Sequence, residues 1–505
     1  MHVETRARWT IGLAGIMGCV ELAAPGGAPG DGVAEGPVAA PALAEQVGVT
    51  GAASAPDGPR RVLLVIADDM SAAATPMYAS DNPDVTLDTP PMPTVQGICG
   101  DGVRFRRAWS MPTCAPTRAA IHTGRFNFRN ETVELIGNEN DAVSLDEPAM
   151  PRLLDEWAPG TNTALFGKWN LGSTDEVGGD AAPNTFGWDH YAGHLGAALT
   201  SYYDWPYTVD GVTVDATTYV TTQTVDDTIS WLAEQPTDQP WVVWLAFTAP
   251  HAPFHAPPDD LHSYDLDGDV PTPTGTQDEM AAEARPYYNA AAEAMDTELG
   301  RLLAWADANG QGGIDVIFVA DNGIPPEVTQ APMDTLRAKG TTYEGGVHVP
   351  MCVSGPSVAR GGRVDDSPVS VVDLLATVLD LAGAPVDQAL ANGEFDSQSL
   401  APVLRDPTAT LDRDWVYSEG GGNLNRYGAT RAILHDGDKL IQFLDDDDEE
   451  LYNLWNDAFE ENELLHPEGA GGVSTYSDGG EEHGHGHAAD RAEELAALLG
   501  SVVGD

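Results

Sequence analysis

The sequence predicts an α/β fold: a large, mostly parallel central sheet flanked by helices, followed by a small C-terminal antiparallel-sheet subdomain. Three observations predict it. Continuous apolar runs of strand length recur along the chain and end in polar residues: Val62 to Ala67 before Asp68-Asp69, Trp241 to Phe247 before Thr248, and Ile314 to Ala320 before Asp321-Asn322. A run that is apolar at every position marks a strand covered on both faces, as in a parallel sheet. Between these runs apolar residues recur at helical spacing, and past about residue 410 the texture changes to short strand-like segments such as Trp415-Val416-Tyr417 and Lys439 to Phe443.

The elements follow in chain order. Arg6 and Arg8 precede an apolar run, Trp9 to Val20, that is too short to span a bilayer and has the layout of a signal peptide, so residues 1–21 are expected to be a leader and the chain to be exported. Ile16-Met17-Gly18-Cys19 is similar to a bacterial lipobox, which would lipidate Cys19; simple cleavage at the Ala/Gly/Pro-rich stretch stays open beside it. The product is then a periplasmic, outer-membrane-anchored or secreted protein. Residues 22–59 carry no periodicity and are expected to be a disordered linker. The main domain is expected over 60–409. Its first strand is Val62 to Ala67, and a short helix should begin just after Cys114, where Pro116 presets φ, and stop near Gly124. Ala164-Leu165-Phe166 gives a further strand before Gly167-Lys168. Met295, Leu299, Leu302, Leu303 and Ala306 form one helical stripe before Asn309-Gly310, and Val371, Leu375, Val378, Leu379 and Ala382 another before Gly383. The C-terminal subdomain is expected over 410–466, and 467–505 as an acidic, His-containing tail with a terminal helix. The acidic block Asp445 to Glu450 reads as solvated, and so do His483, His485 and His487.

Composition bounds the partners. Lys+Arg 24 against Asp+Glu 79 gives a formal charge of −55, which disfavours nucleic acid and anionic membrane surfaces. In so acidic a chain Arg118, Lys168 and Lys339 stand out as means of holding an anion. The four cysteines, at 19, 99, 114 and 352, are too few in a chain this long to read as a disulfide framework.

The strand ends gather the chemistry, because ligands of open α/β sheets bind at the carboxyl edge. Asp68 and Asp69 would repel each other without a cation, and Asp321 and Asn322 add two oxygen donors; an oxygen-only set implies a hard ion, calcium or magnesium. Each carboxylate alone could cap a helix, but all together make a site. Cys114 stands in Cys114-Ala115-Pro116-Thr117-Arg118, followed by Thr123-Gly124-Arg125. An N-terminal helix end with Arg118 beside it suits an anion; the plain alternative is a small buried thiol.

These segments together resemble the type I, formylglycine-dependent sulfatase family of the alkaline phosphatase-like superfamily. The resemblance rests on C-x-P-x-R at 114–118, Pro250-His251-Ala252-Pro253, Gly167-Lys168-Trp169-Asn170-Leu171-Gly172, Lys339-Gly340-Thr341-Thr342-Tyr343-Glu344-Gly345-Gly346 and Glu450-Leu451-Tyr452-Asn453-Leu454, in family order over about residues 61 to 465. It implies a sulfuric ester hydrolase, arylsulfatase-like, in which a formylglycine-generating enzyme oxidises Cys114 to an aldehyde. It also implies calcium held by Asp68, Asp69, Asp321, Asn322 and residue 114. One hydroxyl of the hydrated aldehyde would attack sulfur while Arg118, Lys168 and Lys339 neutralise the sulfuryl oxygens. His251 would protonate the leaving alcohol, and the second hydroxyl would then expel sulfate.

One residue departs from the pattern. Asn170 stands where the family carries a histidine thought to help release sulfate, and an amide cannot accept that proton. His122 and His194 are candidate substitutes. Tyr202, Tyr203 and Trp205 in an expected rim loop are compatible with a sulfated polysaccharide, and small aryl or alkyl sulfates fit as well. Two alternatives remain: a phosphodiesterase or phosphonate monoester hydrolase of the same superfold, and a non-catalytic sulfated-glycan-binding protein whose Cys114 is never matured.

Overall fold

The computed structural model describes residues 58–504, apart from 134–141, 267–276, 392–393, 422–426, 467–475, 479–480 and 484. The leader, Cys19 and the linker to residue 57 lie outside the described residues. Among those residues no helix is long and apolar enough to cross a membrane.

Ten strands form the central sheet: β1 (Arg61–Ala67), β2 (Val103–Trp109), β3 (Asn162–Lys168), β4 (His190–His194), β5 (Trp205–Val209), β6 (Val212–Ala216), β7 (Trp241–Ala246), β8 (Asp315–Ala320), β9 (Met351–Ser354) and β10 (Arg363–Ser370). Their spatial order is β10-β2-β9-β8-β1-β7-β3-β4-β5-β6. The four strands expected from the apolar runs, β8, β1, β7 and β3, are adjacent and parallel, and β1, β7 and β8 are buried along their whole length. Antiparallel pairing enters through β9, which lies between β2 and β8, and at the β5–β6 edge.

Register brings the strand ends level. Ala67 pairs with Ala320, Ile66 with Ala246, and Ala246 with Gly167, so Asp68, Asp321 and Lys168 emerge at one edge within a residue of each other. The helices fall where the stripes place them, at Gln277–Ala308 and Leu374–Ala382, the second ending at Gly383.

The second sheet is an antiparallel meander of β11 (Trp415–Gly420), β12 (Thr430–His435), β13 (Asp438–Phe443) and β14 (Asp448–Asn453). Of the acidic block Asp445 to Glu450, residues 445–447 are in the exposed turn between β13 and β14, whereas 448–450 open β14 and Glu450 is half-buried, accepting from the Tyr343 and Tyr452 hydroxyls.

Two expectations are corrected. Cys99, on the helix Pro93–Asp101, and Cys352, on β9, form a disulfide across a sequence separation of 253 residues. Topology rather than cysteine count brings them together, and Cys114 alone among the described cysteines is a free thiol. The tail is not solvated throughout. Helix His485–Val503 packs on β12 and β13, with Leu495 and Leu499 buried in the core, while His487 is exposed.

Candidate active site

The helix Cys114–Thr123 begins at Cys114 itself, one residue earlier than its proline suggests, with Thr113 as the flanking extended residue. It stops where expected. Gly124 takes φ 67°, and its N–H closes on the Ala120 carbonyl at 2.9 Å. Cys114 and Arg118, one helical turn apart, therefore face the carboxyl edge of the sheet.

There the predicted residues meet. Ligand atoms of Asp68, Cys114 and Asp321 lie within 4.8 Å of one another, and so do those of Asp68, Asp69 and His251. Arg118 donates through Nε and Nη2 to Asp321 Oδ2 at 3.0 and 2.7 Å, and through Nη1 to the Lys168 carbonyl at 2.9 Å. Lys168 Nζ pairs with Asp68 and Lys339 Nζ with Asp69. Asn322 Nδ2 donates to Asp69 Oδ1 at 2.7 Å, and His251 Nε2 lies 3.7 Å from Asp69 Oδ2. Asn170 Nδ2 points at Cys114 Sγ, 3.1 Å away.

Lys339 reaches this cluster differently from the strand-end placement expected for it. It follows the 3-10 turn Thr335–Arg337, with its N–H on the Ile324 carbonyl at 2.9 Å, so a loop folds it back beside the end of β8. That fold-back requires glycine at 323, where a Cβ would stand 1.9 Å from the Gly345 carbonyl oxygen.

Electrostatics follow from burial. Asp68, Arg118, Lys168, Asp321 and Asn322 are fully buried and Cys114 is 2% exposed; the outward-facing members are Lys339 and His251, whose side chains are each 15% exposed. Burial pushes the Asp69 carboxyl up, but Lys339 and then His251 outweigh it and hold it below its ordinary value. Asp321 is raised by burial and by the like charge of Asp68. Burial opposes the charge on Lys168, and Asp68 more than restores it, leaving the ammonium above its usual range.

The cluster suits a hard dication on two grounds. Asp68 Oδ1 and Asn322 Oδ1 are buried oxygens without a hydrogen-bond partner, a costly arrangement unless a further group is meant to use them. Three carboxylates (Asp68, Asp69, Asp321) also balance three cations (Arg118, Lys168, Lys339), so a dication would leave two positive charges. A sulfate monoester anion and one ionised hydroxyl supply the matching negative charge.

The substitutes considered for position 170 are structural. His122 is boxed by Trp169, Phe186, Trp188 and Trp244, and burial lowers its pKa to about 3. His194 is buried, bonds Thr248 Oγ1 at 2.7 Å and is held neutral by burial and then by Lys168 and Arg118. His255 stacks on Tyr202 at 3.8 Å. The rim expectation is corrected for two of its three aromatics: Tyr202 and Trp205 are buried, and only Tyr203, at 40%, is exposed.

Sequence reasoning missed Tyr288 and gave Tyr202 the wrong role. Tyr202 donates to the carbonyls of Thr248 and His251 at 3.0 and 2.7 Å, and Tyr288 to the Asp69 carbonyl at 2.8 Å. They hold the backbone of the site from remote elements, and no local motif marks them. Asp69 and Asn170 both have positive φ, 74° and 52°, a strained state for residues with a Cβ, and Tyr288 clamps the first of them.

Comparison with known proteins agrees with this geometry. The chain is 23% identical to the arylsulfatase of Klebsiella aerogenes over 421 residues, covering 65% of this chain and 88% of that protein. It is 29% identical to the uncharacterized sulfatase YdeN of Escherichia coli (strain K12) over 345 residues, 62% of this chain, and spans 57% of that longer relative. Among solved structures, Ps i-CgsB in complex with k-i-k-neocarrahexaose superposes with TM-score 0.65 at 23% identity, covering 82% of this chain and 90% of that one. BT4656 in complex with D-Glucosamine-2-N, 6-O-disulfate gives 0.64 at 19%, covering 88% and 97%. The phosphonate monoester hydrolase SpPMH from Silicibacter pomeroyi gives 0.60 at 22%, covering 88% and 94%. The profile of the Sulfatase family matches residues 60–384, most of the folded chain, and with the convergence of Asp68, Cys114 and Asp321 on one sheet edge the chain belongs to the sulfatase family.

Proposed function

We propose that this protein is an exported hydrolase of carbohydrate sulfate esters that acts through a formylglycine made from Cys114. The observation that carries this reading is the buried meeting of Cys114 with Asp68 and Asp321 within 4.8 Å, with Arg118 and Lys168 beside them. Two similar solved structures hold carbohydrate ligands by name, k-i-k-neocarrahexaose and D-Glucosamine-2-N, 6-O-disulfate, which favours a carbohydrate over a simple aryl ester. The leader-like sequence of residues 1–21, with lipidation at Cys19 as one form of export, supports the exported part of this reading.

Asp68, Asp69, Asp321 and Asn322 are the residues that would hold the dication, calcium by family analogy and magnesium by the same donor chemistry. When present, the cation supplies positive charge that favours ionisation of a hydroxyl at position 114 and polarises the sulfuryl group. Hydration of the formylglycine supplies two hydroxyls on one carbon, one to attack and one whose ionisation releases sulfate. The chain's own residues do the remainder. Arg118, Lys168 and Lys339 offset charge on the non-bridging oxygens of the sulfuryl group as it transfers, in a site that excludes water. His251 donates through Nδ1 to the Ala252 carbonyl, 2.5 Å away, which leaves Nε2 facing the site to protonate the departing alcohol. Asn170 donates to the group at 114 and orients it, and cannot take a proton from it.

The shared fold with a phosphonate monoester hydrolase makes phosphoryl transfer the competing reading. Turnover of 4-nitrophenyl sulfate and of an aryl phosphodiester by the same matured preparation separates the two. The proposal expects the sulfate to be cleaved with the higher kcat/KM; a preference for the phosphodiester sinks it. A residue 114 that is still a thiol in protein taken from the native host would favour a sulfated-glycan binder.

A further inference from the structure

A cavity of about 370 Å³ lies outside the catalytic cluster, between the segment that follows β1, the end of β2 and the edge of the antiparallel sheet. None of Asp68, Asp69, Cys114, Arg118, Lys168, His251 or Lys339 lines it. Its volume is that of a small-ligand site. It borders the catalytic residues through two short stretches: Ser71 lines it two residues after Asp69, and Arg337 two residues before Lys339.

Its charge is anomalous for this chain. With 24 basic against 79 acidic residues, a guanidinium has carboxylate partners in excess, yet two guanidiniums at this cavity have none within ion-pair distance among the described residues. Arg107 sits over the indole of Trp455, its Cζ 3.5 Å from the ring centroid, and its Nη2 is buried with no hydrogen-bond partner. Arg337 donates only to neutral acceptors, the Glu460 carbonyl and the Tyr452 hydroxyl. The carboxylates of the wall are already engaged. Asp81 accepts both ends of Arg104 at 2.5 and 2.8 Å, and Glu344 and Glu460 converge on buried Lys439 at 3.1 and 2.8 Å. Asp334 caps the Leu336 N–H at 2.8 Å and faces solvent. Of the other basic side chains of the wall, Arg106 pairs with Asp366 and His348 contacts Glu344. The exposed indole of Trp455, with Met333 and Phe459, gives the apolar and aromatic part of the surface, and Tyr78 and Trp109 lie buried behind it.

A buried guanidinium nitrogen without an acceptor is costly in the free protein and becomes an asset when an anion arrives, because charge-assisted bonds are the strong ones. We propose that this cavity is a second binding site for a sulfate-bearing saccharide unit, with Arg107 and Arg337 receiving the sulfate and the aromatic wall the sugar. The proposal rests on the reading of the substrate as a sulfated carbohydrate. A unit held here belongs to the chain being cleaved or to a neighbouring strand, and strengthens attachment without entering the chemistry.

The test is calorimetric binding of three sulfated hexasaccharides (a galactan, a fucan and a glycosaminoglycan), their desulfated forms and inorganic sulfate to the full-length matured protein and to Arg107→Gln. Turnover of 4-nitrophenyl sulfate is measured in parallel. The expected result is at least one sulfated hexasaccharide bound about tenfold more weakly by Arg107→Gln, with 4-nitrophenyl sulfate turnover unchanged. Should that variant fold poorly, Trp455→Ala, at an exposed position, removes the brace and is expected to weaken the same ligand. Unaltered affinity in both variants, no binding of any sulfated hexasaccharide by the parent, or equal affinity for inorganic sulfate and for the saccharide would each overturn the proposal. Binding of a sulfated hexasaccharide by the parent with no sulfate released from any of the three would instead strike the hydrolase reading.

Discussion

Asn170 holds φ 52° and sets its amide 3.1 Å from Cys114 Sγ, so the side chain closest in kind to a missing base is a donor. Histidine is also among the residues that tolerate this backbone region. Asn170→His is therefore expected to raise kcat about tenfold or more and to add an ascending acid limb to the pH–rate profile, as a general base would. A slower enzyme with an unchanged profile would mean that release of sulfate is not limited by a base at this position. Lys168→Ala removes the partner of buried Asp68 and one sulfuryl contact, and is expected to lower kcat by about 10²- to 10³-fold. A loss under threefold, measured on 4-nitrophenyl sulfate, would exclude Lys168 from the charge-stabilising set. Most residues of this cluster were legible in the sequence because each closes an apolar run or sits in a Gly-rich motif. The identity of Asn170's partner was not, since it depends on a helix packing from the other side.

At the scale of elements, the site depends on clamps that bridge distant segments. Tyr202 fixes the turn after β7 by donating to Thr248 and His251, so Tyr202→Phe is expected to lower kcat about threefold to tenfold with little change in melting temperature. An unaffected rate would show that His251 is held by other means. The strands and the helix at Cys114 were readable because periodicity and helix-end chemistry are local. The Cys99–Cys352 bridge was not, because 253 residues separate its ends and only the placement of β9 against the helix Pro93–Asp101 unites them. Opening that link by Cys352→Ser is expected to destabilise the fold by about 2–5 kcal/mol in denaturant titrations, the usual effect of losing a native disulfide. An unchanged midpoint would argue that the pair is reduced in the working protein.

Across the whole molecule, the antiparallel sheet is fastened to the short helix Glu344–Val347 and to the segment after β14 by buried Lys439, which Glu344 and Glu460 share. Burial, opposed by Lys439 and reinforced by Glu344, pushes Glu460 up to about 7. Burial also raises Glu344, but Lys439 and His348 outweigh it and bring that group down to about 2. The signs differ. Glu344 binds fewer protons folded than unfolded, so its contribution is present above its unfolded value and is lost as pH falls toward 2. Glu460 binds more protons folded than unfolded, so its contribution is full below about 4.5 and is lost as pH rises to about 7. Glu460→Gln is thus expected to flatten the fall in stability between pH 5 and 7 seen by denaturant titration. A variant that keeps the parent slope would place that titration elsewhere. This fastening joins β13 to Glu344, 95 residues earlier in the chain, which no local pattern announces; only the texture change near residue 410 marked the second sheet.

The central claim is that residue 114 becomes the nucleophile of a sulfate ester hydrolase at the carboxyl edge of the sheet. Mass spectrometry of the tryptic peptide Ala108 to Arg118, from protein co-produced with a formylglycine-generating enzyme and actively releasing sulfate, tests it most directly. The account predicts the aldehyde, or its hydrate, in proportion to activity. Sulfate release at full rate from protein whose Cys114 is entirely thiol would contradict it.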